Sequence, residues 1–80
     1  MPKSDEILAA TMRSTLALPE DYSTAEMVFS QTPGWDSLAH MRLVAEIEEK
    51  FDIMLDLDDI IDMSSFAKAQ EILKKYGVTD

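Results

Sequence analysis

An all-α fold is what this sequence predicts: a small antiparallel four-helix bundle with three longer helices, one short third helix and a long loop between helices 1 and 2. Three observations point there. Apolar residues repeat three and four positions apart in four segments, no run alternates convincingly as a strand, and Ser, Asp, Gly and Pro stand where such segments begin and end. Eighty residues, 46% of them hydrophobic, suffice for one modest core, so residues 1–80 read as a single domain.

The first helix is expected from about Asp5 to Leu16. Ile7, Leu8, Met12, Thr15 and Leu16 recur at helical spacing, Ser4 precedes them as a candidate N-cap, and Pro19 marks the end. From Pro19 to Trp35 turn-forming residues dominate, with Tyr22, Met27, Val28 and Phe29 apolar enough to pin the segment onto a core. A connection this long inside a small domain is more often functional than idle. The second helix is expected from Ser37 to Phe51, with Leu38, Met41, Val44, Ala45, Ile47, Glu48 and Phe51 tracing the i, i+3, i+7 rhythm. Leu57 to Asp62 reads as a short helical turn with Ile60 and Ile61 inward and the aspartates outward. The last helix is expected after Ser64 as N-cap, with Phe66, Ala69, Leu73 and Tyr76 on one stripe and Gly77 as its C′ stop.

Composition narrows the function classes. Without cysteine, the chain has neither a disulfide framework nor a thiolate metal site, and any thiol chemistry must use a borrowed sulfur. The stretch Met1 to Glu6 lacks the cationic-then-apolar pattern of a signal peptide and apolar runs are short, so a soluble cytoplasmic protein without membrane insertion is expected. Sixteen acidic against seven basic side chains leave a formal charge of −9, which repels nucleic acid and anionic membranes. Asp52, Asp56, Asp58, Asp59 and Asp62 fall in a stretch without Lys or Arg. Such a face solubilises the chain and speeds encounter with basic protein surfaces.

The most informative stretch is Gly34-Trp35-Asp36-Ser37-Leu38. Asp36 directly before the periodic run is a favoured N-cap, which leaves Ser37 at N1 with its hydroxyl unused. Trp35 at N′ and His40 at N4 are positioned as a hydrophobic staple that fixes how the chain enters the helix. A phosphodiester on the serine oxygen would meet the free amides and positive end of that helix, with Asp36 offsetting part of the gain.

These residues also carry a family resemblance. Gly34-Trp35-Asp36-Ser37-Leu38, then Leu43-Val44-Ala45-Glu46-Ile47-Glu48-Glu49-Lys50-Phe51, then an acidic short helix and a capped final helix, together resemble an acyl carrier protein over almost the whole chain. The resemblance implies a carrier and not a catalyst. It implies that Ser37 is esterified to 4′-phosphopantetheine donated by coenzyme A, whose thiol holds acyl groups as thioesters. Asp36 would then assist the phosphopantetheinyl transferase and its magnesium ion. Acyl-loading, modifying and transferring enzymes with basic docking surfaces would read Leu38, Glu48, Glu49, Asp58 and Ile60, and carriers of this kind can shelter an acyl chain between helices. Trp35 replaces a residue that is often small in the fatty-acid type, Ala39 replaces an acidic one, and Arg42 interrupts the acidic face. Ala39 and Arg42 are therefore expected to alter partner choice. The W-D-S-L-A-H stretch is more similar to stand-alone carriers of specialised pathways, such as polyketide, aminoacyl or surface-glycan assembly. A monomer fits the charge and transient docking.

Two other readings stay open at this level. One is an acidic helical adaptor that binds a basic partner through the second helix and has no prosthetic group. The other is a small hydrolase built on a Ser37–His40 dyad one turn apart, although no Gly-rich oxyanion loop or orienting third group is visible. The aspartate run lacks the Gly and bidentate Glu of a calcium loop, and no metal site is expected. Met12, Met27, Met41, Met54 and Met63 sit in apolar contexts and read as adaptable core filler.

Overall fold

Four α-helices and one short 3-10 turn make up the computed structural model, which describes residues 4–78: α1 (Ser4–Thr15), the turn at Thr24–Glu26, α2 (Ser37–Phe51), α3 (Leu57–Asp62) and α4 (Phe66–Lys75). The ends of the expected domain, residues 1–3 and 79–80, lie outside the described residues. Among the described residues there is no strand, only one isolated antiparallel bridge between Val28 and Ser65. No helix is long and apolar enough to cross a membrane.

The core collects Leu8 and Met12 from α1, Leu43, Val44 and Ile47 from α2, and Phe66, Ala69, Ile72 and Leu73 from α4. Met27, Trp35, Leu55 and Met63 from the connections complete it. Complete burial of an aliphatic side chain such as Leu8, Leu43 or Ile47 stabilises the fold by about 1.5–3 kcal/mol each. α1 packs chiefly on α2, and α4 closes against α1 and the 3-10 turn.

Several expectations need correction. Ser4 lies within the helix and is not the cap of α1. The cap of α4 is Ser65, whose side chain accepts from the Lys68 amide at 3.1 Å, because the Ser64 carbonyl is drawn aside to accept from the Phe29 amide at 2.8 Å. On α2 the buried stripe is Leu43, Val44 and Ile47, whereas Leu38, Met41 and Ala45 are exposed. Met41 and Met54 are therefore not core filler; Met12, Met27 and Met63 are. α3 is rotated from the expected setting: Ile60 packs on the core and Asp58 and Asp62 face outward as expected, but Ile61 is exposed and Asp59 is buried.

The segment from 16 to 36 is held by its polar groups as well as its apolar ones. The Arg13 guanidinium donates twice to the Tyr22 carbonyl, at 2.7 and 3.0 Å. Buried Thr32 accepts from the Val28 amide at 2.8 Å and donates to the Glu26 carbonyl at 3.2 Å, so a compact turn needs no helix to satisfy its backbone. Gly34, at φ +79°, finishes that turn where a Cβ would lie 3.2 Å from the Leu16 carbonyl oxygen. The turn thereby delivers Trp35 to the core and Asp36 to the start of α2.

Candidate functional site at the start of the second helix

Asp36 has extended backbone dihedrals, and its Oδ1 accepts from the Ala39 amide at 2.9 Å while its carbonyl accepts from the His40 amide at 2.8 Å. This is an N-cap in full, and Ser37 is N1. Ser37 is exposed, and no described residue forms a hydrogen bond with its hydroxyl. The amides of Ser37 and Leu38 precede the first intrahelical bond, so the positive end of α2 faces this hydroxyl.

Trp35 and His40 form the expected staple with polar locks added. The two rings lie 22° from parallel with centroids 6.1 Å apart, and Phe29 meets both edge-on at 5.9 and 5.4 Å. The indole Nε1–H donates to His40 Nδ1 at 3.1 Å. That assigns the imidazole proton to Nε2, which donates to the Ile60 carbonyl oxygen at 2.7 Å. Both ring nitrogens are thus engaged away from Ser37. The Ser37–His40 dyad is not formed, since the nitrogen needed as a base already accepts from Trp35.

Beside Ser37 opens a pocket of about 350 Å³, walled by Met41, Leu57, Ile60, Ile61 and Met63 and reached by His40. Met41, Leu57 and Ile61 line it as exposed apolar side chains, and Leu38, next to Ser37 in the chain, is exposed as well. Of the other expected contact residues, Ile60 is half-buried and lines this pocket, Ala39 is half-buried, and Arg42, Glu49 and Asp58 are exposed; Arg42 lines a separate hollow with Ser14, Thr15, Ala45 and Glu46. Glu48 stands apart, because its Oε2 accepts from the Leu55 amide at 2.9 Å and so secures the α2–α3 connection.

A second polar cluster, unseen at the sequence level, anchors α3 to α4. Buried Asp59 accepts from Lys75 Nζ at 2.7 Å and from the Tyr76 hydroxyl at 2.5 Å, while that hydroxyl accepts from the Asp56 amide at 2.9 Å. The Lys75 bond, then the Tyr76 bond, hold the Asp59 carboxyl below its ordinary range against the opposing effect of burial. Asp59 in turn raises both the Lys75 ammonium and the Tyr76 phenol. An aspartate consumed in this way is not a cation ligand. Among the described residues no group of three or more His, Asp or Glu is placed to hold a metal ion.

An all-helical domain, with a solvent-facing serine on a capped helix start and an apolar pocket beside it, defines a class of protein suited to carrying a covalent group. Residues 6–69 match the family model described as phosphopantetheine attachment site, and the chain belongs to that family. The family is defined by covalently attached 4′-phosphopantetheine, and its carrier domains are in general not catalytic. They work with phosphopantetheinyl transferases and biosynthetic enzymes, so an adaptor without a prosthetic group is not favoured. No curated protein matches the chain, and no solved structure does.

Proposed function

We propose that Ser37 receives the phosphopantetheine arm, and that this chain carries acyl-type intermediates to partner enzymes of a specialised biosynthetic pathway. The observation behind this reading is the exposed, unbonded Ser37 hydroxyl on the capped start of α2, at the rim of an apolar pocket. Once attached, the arm supplies the terminal thiol that a cysteine-free chain lacks, and acyl groups are held there as thioesters.

The chain's own residues divide the remaining work. Asp36 keeps one carboxylate oxygen on the Ala39 amide and leaves the other for the transferase and its magnesium ion. Trp35 and His40 fix the entry of the helix, so that Ser37 is presented rigidly. The free amides of the first turn lie where a phosphodiester on Ser37 would sit. Leu38, Ala39, Arg42, Glu48, Glu49, Asp58 and Ile60 form the face read by acyl-loading, modifying and transferring enzymes, with Glu48 also holding the Leu55 amide. Basic docking surfaces on those enzymes are steered by the net charge of −9. In this reading residues 1–80 are one cytoplasmic carrier domain, a monomeric antiparallel bundle.

Incubation with coenzyme A and a broad-specificity phosphopantetheinyl transferase tests it. Intact-mass spectrometry is expected to register one added phosphopantetheine on the wild type and none on Ser37→Ala. A wild-type chain that gains no mass, or a Ser37→Ala chain that gains it, overturns the assignment.

A further inference from the structure

α3 has six residues, too few for a helix to hold its own shape, and both of its ends are completed by side chains from outside it. At its start the N-cap Asp56 makes no side-chain cap bond. Its amide donates instead to the Tyr76 hydroxyl at 2.9 Å, and that hydroxyl donates to Asp59, the third helical residue, at 2.5 Å. Tyr76 thus stands inside what would otherwise be the direct carboxylate-to-amide bond of a capping box. At the other end the Ile60 carbonyl receives no backbone amide among the described residues and accepts from His40 Nε2–H at 2.7 Å. Asp59 and Ile60 are neighbours in the chain, so the carboxylate that Tyr76 holds and the carbonyl that His40 meets move as one turn.

We propose, on the carrier reading above, that Tyr76 is a remote positioning residue for arm attachment at Ser37, acting through α3 and the tautomer of His40. While α3 is docked, the Ile60 carbonyl keeps the imidazole proton on Nε2, which leaves Nδ1 bare to accept from the Trp35 indole at 3.1 Å. Loss of the Tyr76 hydroxyl strips the Asp56 amide and one Asp59 oxygen of their partner and shifts α3 toward release. With the Ile60 carbonyl withdrawn, nothing holds the proton on Nε2, and a proton on Nδ1 meets the indole N–H donor to donor. Trp35 is 2% exposed, so its N–H has no solvent to turn to and the ring must shift to find an acceptor. Trp35 directly precedes the cap Asp36, and its movement reaches Ser37 two residues on. The coupling runs from the end of α4 to the start of α2 through one short element with two positions, docked and released.

Tyr76→Phe removes the hydroxyl and keeps the ring that packs on the core. Imidazole nitrogen shifts and the Trp35 indole proton are read by NMR at about pH 8.5, above the ordinary range of imidazole titration. The wild type is expected to carry the His40 proton on Nε2 alone, with a hydrogen-bonded indole signal. In Tyr76→Phe the two imidazole nitrogens are expected to average toward each other and the indole proton to move upfield. With coenzyme A and the broad-specificity transferase, kcat at saturating Tyr76→Phe is expected to fall several-fold while the KM for coenzyme A stays constant. Leu8→Val, which thins the packing of α1 instead, is expected to leave both readouts at wild-type values, so a general loss of stability does not imitate the effect. His40→Gln keeps an amide that accepts from the indole and donates to Ile60 but has no tautomer to change, and in that background Tyr76→Phe is expected to cost no further kcat. A wild-type imidazole with its proton on Nδ1 overturns the relay without recourse to any variant. Unchanged signals in Tyr76→Phe, or the same loss of kcat with and without His40→Gln, overturn it as well, and a constant kcat beside an altered imidazole overturns the positioning role. Refusal of the arm by the wild-type chain overturns the carrier reading and the positioning role with it, whereas the NMR outcomes, read without the arm, overturn the relay alone.

Discussion

Ser37 owes its free hydroxyl to Asp36, which takes the Ala39 amide that a serine cap would otherwise have claimed. Replacing Asp36 by Ala removes the cap and is expected to cost about 1 kcal/mol. For a domain of this size that is roughly a 4–8 °C fall in melting temperature by calorimetry. Asn caps a helix about as well as Asp, so Asp36→Asn is expected to melt near the wild type yet accept the arm more slowly, because it lacks the carboxylate offered to the transferase. Equal transfer rates for Asp36→Asn and the wild type would confine Asp36 to a structural role. This part of the site was legible in the sequence because cap, N1 residue and staple all lie within five residues of one another. The second bond of His40 was not legible, since it reaches Ile60 twenty positions away and depends on where α3 docks. Glu48 shows the same limit: the resemblance implied a role in partner contact, and only the fold reveals the Leu55 amide that it holds.

Three of the four α-helices end in one motif, and only one of the three was readable as that motif. After α1, α2 and α4 the chain passes through the left-handed region at Ala17 (φ 57°), Asp52 (φ 54°) and Gly77 (φ 83°). In each case the next amide reaches back five residues: Leu18 to Arg13, Ile53 to Glu48, and Val78 to Leu73. Leu18, Ile53 and Val78 then pack on the core, which is the apolar contact that accompanies a Schellman ending. Glycine advertises this conformation, whereas Ala and Asp do not, so Gly77 was legible as a stop and the other two were not. A non-glycine residue pays about 1–2 kcal/mol in this region, and glycine's larger unfolded-state entropy returns about 0.5–1 of that difference. Ala17→Gly is therefore expected to stabilise the fold by roughly 0.5–1 kcal/mol. Asp52→Gly should give less, because Asp tolerates the region better. Urea denaturation at constant slope measures both, and a destabilised Ala17→Gly chain would rule out strain at that position. The short helix α3 was misread in part for a related reason: six residues carry less than two turns of periodicity, too little to place Ile61 and Asp59 when buried polar partners come from α4.

Charge acts on the molecule as a whole, and here it both opposes and secures the fold. A net charge of −9 in a body of about 30 × 29 × 19 Å implies self-repulsion, so melting temperature is expected to rise with sodium chloride and further with magnesium chloride. A melting temperature indifferent to both salts would mean that the acidic face is too dispersed to strain the fold. The Asp59 cluster works in the opposite direction, and its sign can be followed through pH. Asp59 titrates below its ordinary value in the folded chain, so its contribution is complete above about pH 3.9 and is lost as pH falls through the lowered folded value. Lys75 and Tyr76 titrate above their ordinary values, so their contribution is complete below about pH 10 and is lost as pH rises through the raised ones. Relief of repulsion as other carboxylates protonate obscures the acid limb in the wild type alone. The difference in stability between the wild type and Asp59→Asn removes that shared background. It is expected to favour the wild type, to stay level between about pH 5 and pH 9, and to shrink on both sides, because one carboxylate supports both partners. An Asp59→Asn chain that keeps the wild-type alkaline limb would show that Lys75 and Tyr76 do not depend on Asp59, and would remove the cluster as the anchor of α3.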